Sequence, residues 1–173
     1  MNLRDTNYNI HDLKDINFNW FLPDIQREFV WLKKPSDRRI ENLFDSILKG
    51  YPIGNFLMWK IRKDEIENQS ISIYKFIEEF NPNDPHNPPI EDIQEDIKND
   101  EFSLVLDGQQ RLTALYIGFV GKYYKKSKKK LLPTELYLNL AHSLNEQDPD
   151  DTYELEFLTT EEANRRDEGK VWV

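Results

Sequence analysis

The apolar residues of this chain change period abruptly at one place, and the change fixes a corner that its fold must contain. Phe102-Ser103-Leu104-Val105-Leu106 reads as a short buried strand, and Leu112, Leu115, Tyr116 and Phe119 then recur at the spacing of one helical face. Between them lie Asp107-Gly108-Gln109-Gln110-Arg111. A strand must therefore turn directly into a helix, whose first N–H groups have no partner within it. The helix dipole favours negative charge at that end, and Arg111 brings a planar, permanently charged guanidinium into the same turn. Phosphate is the natural guest of such a corner.

An isolated Asp-Gly pair can simply be a turn with a helix N-cap, because Asp caps well and Gly relieves a tight bend. Here Gln109, Gln110 and Arg111 follow, so four polar side chains converge on one mouth. Asp107 is open to three readings: it can cap the helix, hold Mg²⁺ beside a phosphate, or polarise an attacking water. A second polar pair, Gln26-Arg27, lies in Pro23–Trp31, a loop or extended stretch that Phe29 and Trp31 pin to the core. An amide beside a guanidinium suits a phosphate or a base edge.

The net charge of −9 argues against a nucleic-acid partner only if it is evenly spread, and it is not. Trp20 to Lys63 holds nine Lys/Arg against five Asp/Glu, and Lys122–Lys130 holds six lysines. The acid is concentrated in Glu78–Glu101 and Glu146–Glu168. The lysine block reads as a solvated loop in which Tyr123 belongs to the core, and Lys126, Lys128 and Lys129 are its candidate DNA contacts together with Gln26 and Arg27. There is no cysteine, and His11, His86 and His142 are scattered, so no thiolate or histidine metal site is legible. No Ser-His-Asp arrangement, glycine-rich phosphate loop or His-Asn-His nuclease motif is present. No apolar run approaches the ~20 residues of a membrane span and the chain does not begin as a signal peptide, so a cytosolic protein without membrane contact is expected.

At 173 residues and 38% hydrophobic, the chain fits one domain over residues 1–173 with a real core. A lead-in segment with one helical turn around His11–Ile16 comes first. Ile40, Leu43, Phe44, Ile47 and Leu48 form a helical stripe, with Ser36 or Asp37 as cap and Gly50 at its end. Asn55–Ile61, apolar at both parities, reads as a strand covered on both faces, and Ser70–Ile77 as a second strand. Asn81–Pro89 is a solvent loop, and Ile90, Ile93 and Ile97 mark a short helix. Glu135–Leu140 and Tyr153–Phe157 read as strands, and Thr159 or Thr160 starts a helix through Arg166. Lys170–Val173 looks like a strand with no visible partner, which suggests a fragment of a longer protein.

Three blocks, Ile25–Trp31, Leu43–Gly54 and Leu106–Thr113, resemble in order the N-terminal domain of GmrSD-type modification-dependent restriction systems, a branch of the ParB/sulfiredoxin-like superfamily. The resemblance implies an α+β domain, ParB-like, with a small mixed sheet flanked by helices. It also implies binding and hydrolysis of a nucleoside triphosphate, in defence against modified phage DNA. Nucleotide contacts then fall to Gln26, Arg27, Gly108, Gln109, Gln110 and Arg111, catalysis to Asp107 and Arg111, and Mg²⁺ to Asp107. In such systems a separate C-terminal His-Asn-His-type domain cuts DNA; self-association of the chain is left open. Ile25 stands where many relatives carry an aromatic, so no stacking role is carried over to it. Two other readings remain: a ParB-like nucleotide or DNA switch without useful turnover, and an interaction domain in which the motif is only a turn.

Overall fold

Apolar residues of both sequence periods meet between two sheets, in the larger of two buried clusters. The computed structural model describes residues 10–25, 28–32, 37–69, 71–127, 130–144, 152–165 and 169–173. A 3₁₀ turn over Ile10–Asp15 leads into α1 (Ile16–Asn19), β1 (Trp20–Pro23) and α2 (Arg39–Leu48). There follow β2 (Leu57–Arg62), α3 (Lys63–Gln69), β3 (Ile73–Tyr74), β4 (Glu79–Phe80) and α4 (Ile93–Asp96). β5 (Glu101–Asp107) and α5 (Gln109–Phe119) form the predicted strand–turn–helix unit. β6 (Lys122–Ser127), β7 (Lys130–Leu138), β8 (Leu155–Leu158) and α6 (Thr160–Ala163) complete the order. The expected α+β class holds, with two mixed sheets in place of one.

The first sheet runs β2-β5-β1-β3, with β5 parallel to β1 and antiparallel to β2. Its side chains alternate as the pleat requires: Phe102 and Leu104 of β5 join Phe21, Ile61, Ile66 and Ile97 on one face, while Val105 points to the other. The second sheet runs β4-β6-β7-β8, with β4 parallel to β6 and the rest antiparallel. Trp20, Leu22, Phe29, Phe80, Tyr123 and Phe157 bring both sheets into the larger core.

Helix α5 lies in that core and is buried well beyond the single face its stripe predicts: Leu112, Thr113, Ala114, Leu115, Tyr116 and Ile117 are all buried. Phe119, on the stripe, is instead 42% exposed and packs on Phe44 of α2, with ring centres 4.5 Å apart and planes inclined by 51°. Burial, and then the Glu78 carboxylate beside it, push the Tyr116 hydroxyl up to about 12. Helix α2 ends as its sequence predicts: the N–H of Gly50 donates to Ile47 O and that of Tyr51 to Ser46 O, the paired bonds of a Schellman ending. Of its two candidate caps, Asp37 Oδ1 accepts the Arg39 N–H at 3.2 Å, and Ser36 lies outside the described residues.

Several elements differ from expectation for identifiable reasons. β1 occupies Trp20–Pro23, where the sequence carries no strand pattern. β2 packs on both clusters through Met58, Trp59 and Ile61, yet it is an edge strand and Lys60 and Arg62 are exposed. The single strand expected at Ser70–Ile77 stops at Tyr74. Beyond it, Asn17 takes the backbone of Phe76, accepting its N–H at 2.7 Å and donating to its carbonyl at 3.1 Å. The lysine block is not a loop but the arms of a hairpin, β6 against β7, in which Tyr123 is core as expected. Helix α6 starts with a Thr159–Glu162 capping box and ends at Ala163, short of Arg166. Val171–Val173 does find a partner: the N–H of Val173 donates to Leu138 O at 3.0 Å and that of Leu140 to Val171 O at 2.7 Å.

Gly118 tests the seat of α5. A Gly-to-Ala change inside a helix normally stabilises, by roughly 0.5–1 kcal/mol. Here a Cβ would drive into the Phe44 ring and press on Leu136. Gly118→Ala should therefore destabilise, by about 1–3 kcal/mol, measured as a lower urea midpoint at unchanged m-value. A stabilised variant would show that α2 and α5 pack more loosely than described.

Candidate functional site

The site is built at the carboxyl ends of two neighbouring parallel strands. β1 and β5 run side by side in one direction, and the chain leaves β5 at Asp107 to enter α5 two residues later. The turn is made by Gly108 at φ 86°, in the left-handed region, with the Phe56 ring against it where any side chain would stand. Having no side chain, Gly108 offers no cap to the first-turn N–H groups; the first intrahelical bond runs from Leu112 N to Gly108 O at 2.9 Å. The carboxyl ends of parallel strands are where open α/β sheets bind ligands. The corner has the form the sequence predicts.

Each motif side chain has a distinct task. Gln110, 9% exposed, reaches the 28–30 segment: its Nε2 donates to Glu28 O at 2.9 Å, and its Oε1 accepts the Val30 N–H at 3.0 Å. The carboxamide thus acts as one more residue of backbone pairing, and it fastens the stretch that directly follows Gln26-Arg27. Arg39 holds the same segment from the other side by donating to Val30 O at 2.9 Å, with its guanidinium 5.5 Å from the Trp31 ring centre.

Arg111 faces the turn before β2. Its Nη1 donates to Ile53 O and its Nη2 to Asn55 O, the latter at 2.9 Å, and the group lies 5.3 Å over the Phe56 ring. Gly54 makes room for it, since a Cβ there would collide with the guanidinium. Asp107 stands 4.0 Å from Arg111 Nη2 with its side chain 77% exposed. Gln109, 5% exposed, lines a cavity of about 200 Å³ with Pro23, Asp24, Glu28, Tyr74 and His86. Its Oε1 is buried and has no partner among the described residues.

The structure therefore brings together Asp107, Gly108, Gln109, Gln110 and Arg111. Gln26 and Arg27 lie outside the described residues, as do Lys128 and Lys129. Lys126 is exposed on β6, with Lys122 on the same side of the strand and opposite to buried Tyr123. Its neighbour Lys125 is held by the Phe157 carbonyl at 2.7 Å. Among the described residues no group of three or more His, Asp or Glu converges on one point. Asp107 alone suits Mg²⁺ only in the manner usual for that ion, with phosphate oxygens and waters completing the shell.

Sequence reasoning missed the partners of the motif. Asp24, Tyr74, His86 and the Ile53–Phe56 turn carry no pattern that singles them out, and His86 lies in a segment that reads only as solvent loop. A slight signal is available in Tyr51-Pro52-Ile53-Gly54, a turn placed just before a strand.

Residues 8–170 match the family described as GmrSD restriction endonuclease, N-terminal domain. The chain is also similar to an uncharacterised protein of Methanocaldococcus jannaschii, MJ0686, at 39% identity over 95 residues. That alignment covers 55% of this chain and 13% of the curated relative.

The Gln110 clamp gives a graded test. Gln110→Ala leaves the Glu28 carbonyl and the Val30 N–H without it, and leaving such groups unpaired costs about 1–3 kcal/mol. Gln110→Glu keeps the acceptor for Val30 and should lie between the two. Denaturant titration reads the stability, and trypsin cleavage after Arg27 should accelerate in the order wild type, Glu, Ala. Equal rates in all three would show that Gln110 does not fasten this segment.

Proposed function

The chain belongs to the family of GmrSD restriction endonuclease N-terminal domains, and from that premise we propose that it is a nucleotide-binding, nucleoside-triphosphate-hydrolysing regulatory domain of a restriction protein acting on modified DNA. The observation that carries the reading is the convergence at one corner. The first turn of α5 opens where Gln109 meets a cavity, and Gln110 anchors the segment after Gln26-Arg27 at the same place. The ParB/sulfiredoxin-like assignment belongs to this reading.

In this scheme the uncapped amides of α5 receive phosphate oxygens, since backbone donors and the dipole both favour an anion there. Arg27 supplies charge that Arg111, tied to two carbonyls, supplies only in part. Arg111 retains further guanidinium donors and holds the floor of the site in place. Asp107, whose carboxylate is exposed, would be the residue to hold Mg²⁺, and the ion would supply positive charge against the phosphates. DNA contacts fall to Lys126, Lys128 and Lys129 of the lysine block and to Gln26 and Arg27, with a C-terminal nuclease domain as the partner that cuts. Cytoplasmic residence and self-association remain parts of the proposal; among the described residues no helix is long and apolar enough to cross a membrane.

A second reading, a nucleotide switch without useful turnover, is favoured by one observation: Asp107 is the only carboxylate of the motif turn, and it lies beside a cation. Asp107→Asn separates the two. The side chain is exposed and makes no cap bond, so melting temperature should stay within error of wild type. Nucleotide affinity in the absence of Mg²⁺ should not fall, because a carboxylate that repels phosphate is removed. Phosphate release should fall by about 10²-fold or more, the range typical of losing a group that acts only in the transition state. Unchanged release would remove Asp107 from catalysis, and no release from either protein would favour the switch.

A further inference from the structure

In the reading above the motif turn receives phosphate and, with Asp107 given to Mg²⁺, has no group left to take a proton. Glutamine and arginine do not serve as bases near neutral pH. The cavity beside Gln109 brings two further residues to the same place. His86 and Glu28 both line it, with His86 Nδ1 3.1 Å from Glu28 Oε1. An ionised carboxylate only accepts hydrogen bonds, so the neutral ring carries its proton on Nδ1 and keeps its lone pair on Nε2. Nε2 has no partner among the described residues. Both residues are placed from elsewhere in the fold. Gln110 of the motif holds the Glu28 backbone by donating to its carbonyl at 2.9 Å. The residues after His86 are tied to the end of β3: Asn87 Nδ2 donates to Lys75 O at 2.9 Å, and the Lys75 N–H to Pro88 O at 2.8 Å.

We propose that His86 is the general base of the hydrolysis and Glu28 its positioning residue; the inference rests on the nucleoside-triphosphate-hydrolysing reading given above. Nε2 takes a proton from a water in the cavity while the water oxygen forms a bond to the terminal phosphorus. The bond from that phosphorus to the bridging oxygen breaks, and its electron pair leaves with the nucleoside diphosphate. Glu28 sets the tautomer of the ring and stabilises the imidazolium that results, the task of a carboxylate behind a catalytic histidine. The ring is 68% exposed and also lines a second cavity, of about 610 Å³, so its proton passes to solvent after each turnover. Gln110 then serves the chemistry indirectly, through the carboxylate whose backbone it fastens.

Phosphate release by the full chain, with each of ATP, GTP, CTP and UTP and with Mg²⁺, tests this beside calorimetric binding of the same nucleotides. His86→Ala, at an exposed position, should keep the wild-type nucleotide affinity and lose about 10²-fold or more in kcat. Imidazole added to the buffer should restore part of that loss, which it cannot do for a residue that only shapes the loop. Glu28→Ala should lower kcat by less, and joining it to His86→Ala should cost nothing further, because residues that act as one unit are not additive. Full release from His86→Ala, a loss that imidazole leaves untouched, or a further drop in the double variant would overturn the assignment while leaving hydrolysis intact. No release by the wild-type chain with any of the four nucleotides would overturn hydrolysis and this inference together.

Discussion

A helix buried on nearly every side cannot shift without repacking its neighbours, and α5 is such a helix. Its apolar residues share one buried cluster with residues of β1, β5 and the second sheet, and Gly118 lets the Phe44 ring of α2 approach its backbone. The position of its first turn is therefore set by the whole core. From that turn Gln110 and Arg111 reach outward to two loops distant in sequence, the 28–30 segment and the Ile53–Asn55 turn. Polar groups held this way on a rigid element need no reorganisation when a ligand arrives. The corner is a scaffold property before it is a binding property.

The charges are sorted by location, which is why the net charge of −9 says little about partners. Acidic Asp24 and Glu28 line the cavity, the amides of α5 form a locally positive mouth, and the hairpin carries exposed lysines on one side of β6. Asp107 stands exposed beside Arg111, 4.0 Å from its guanidinium.

The motif unit is legible because its signal is local. A strand period gives way to a helix period within five residues, and the observed bounds, Glu101–Asp107 and Gln109–Phe119, follow the pattern closely. The end of α2 is legible for the same reason. What escapes the sequence is non-local. Ser70–Ile77 reads as one strand until Asn17, some sixty residues earlier, takes the backbone of Phe76. Lys122–Lys130 reads as a loop because its six charges hide the strand alternation, even though Tyr123 already reads as core. The tasks of Gln110 and Arg111 cannot be read at all, because their partners are backbone groups, and a backbone carbonyl leaves no mark in the sequence.

The central proposal is that the α5 corner and the segment fastened by Gln110 together form one nucleotide site. Amide hydrogen exchange of the full chain, measured with and without saturating GTP and Mg²⁺, tests it most directly. The account predicts that added nucleotide slows exchange at residues 109–111 and at 26–30 together, while the hairpin β6–β7 is unaffected. Protection confined to the lysine hairpin, or nucleotide binding with no change at residues 109–111, would contradict it.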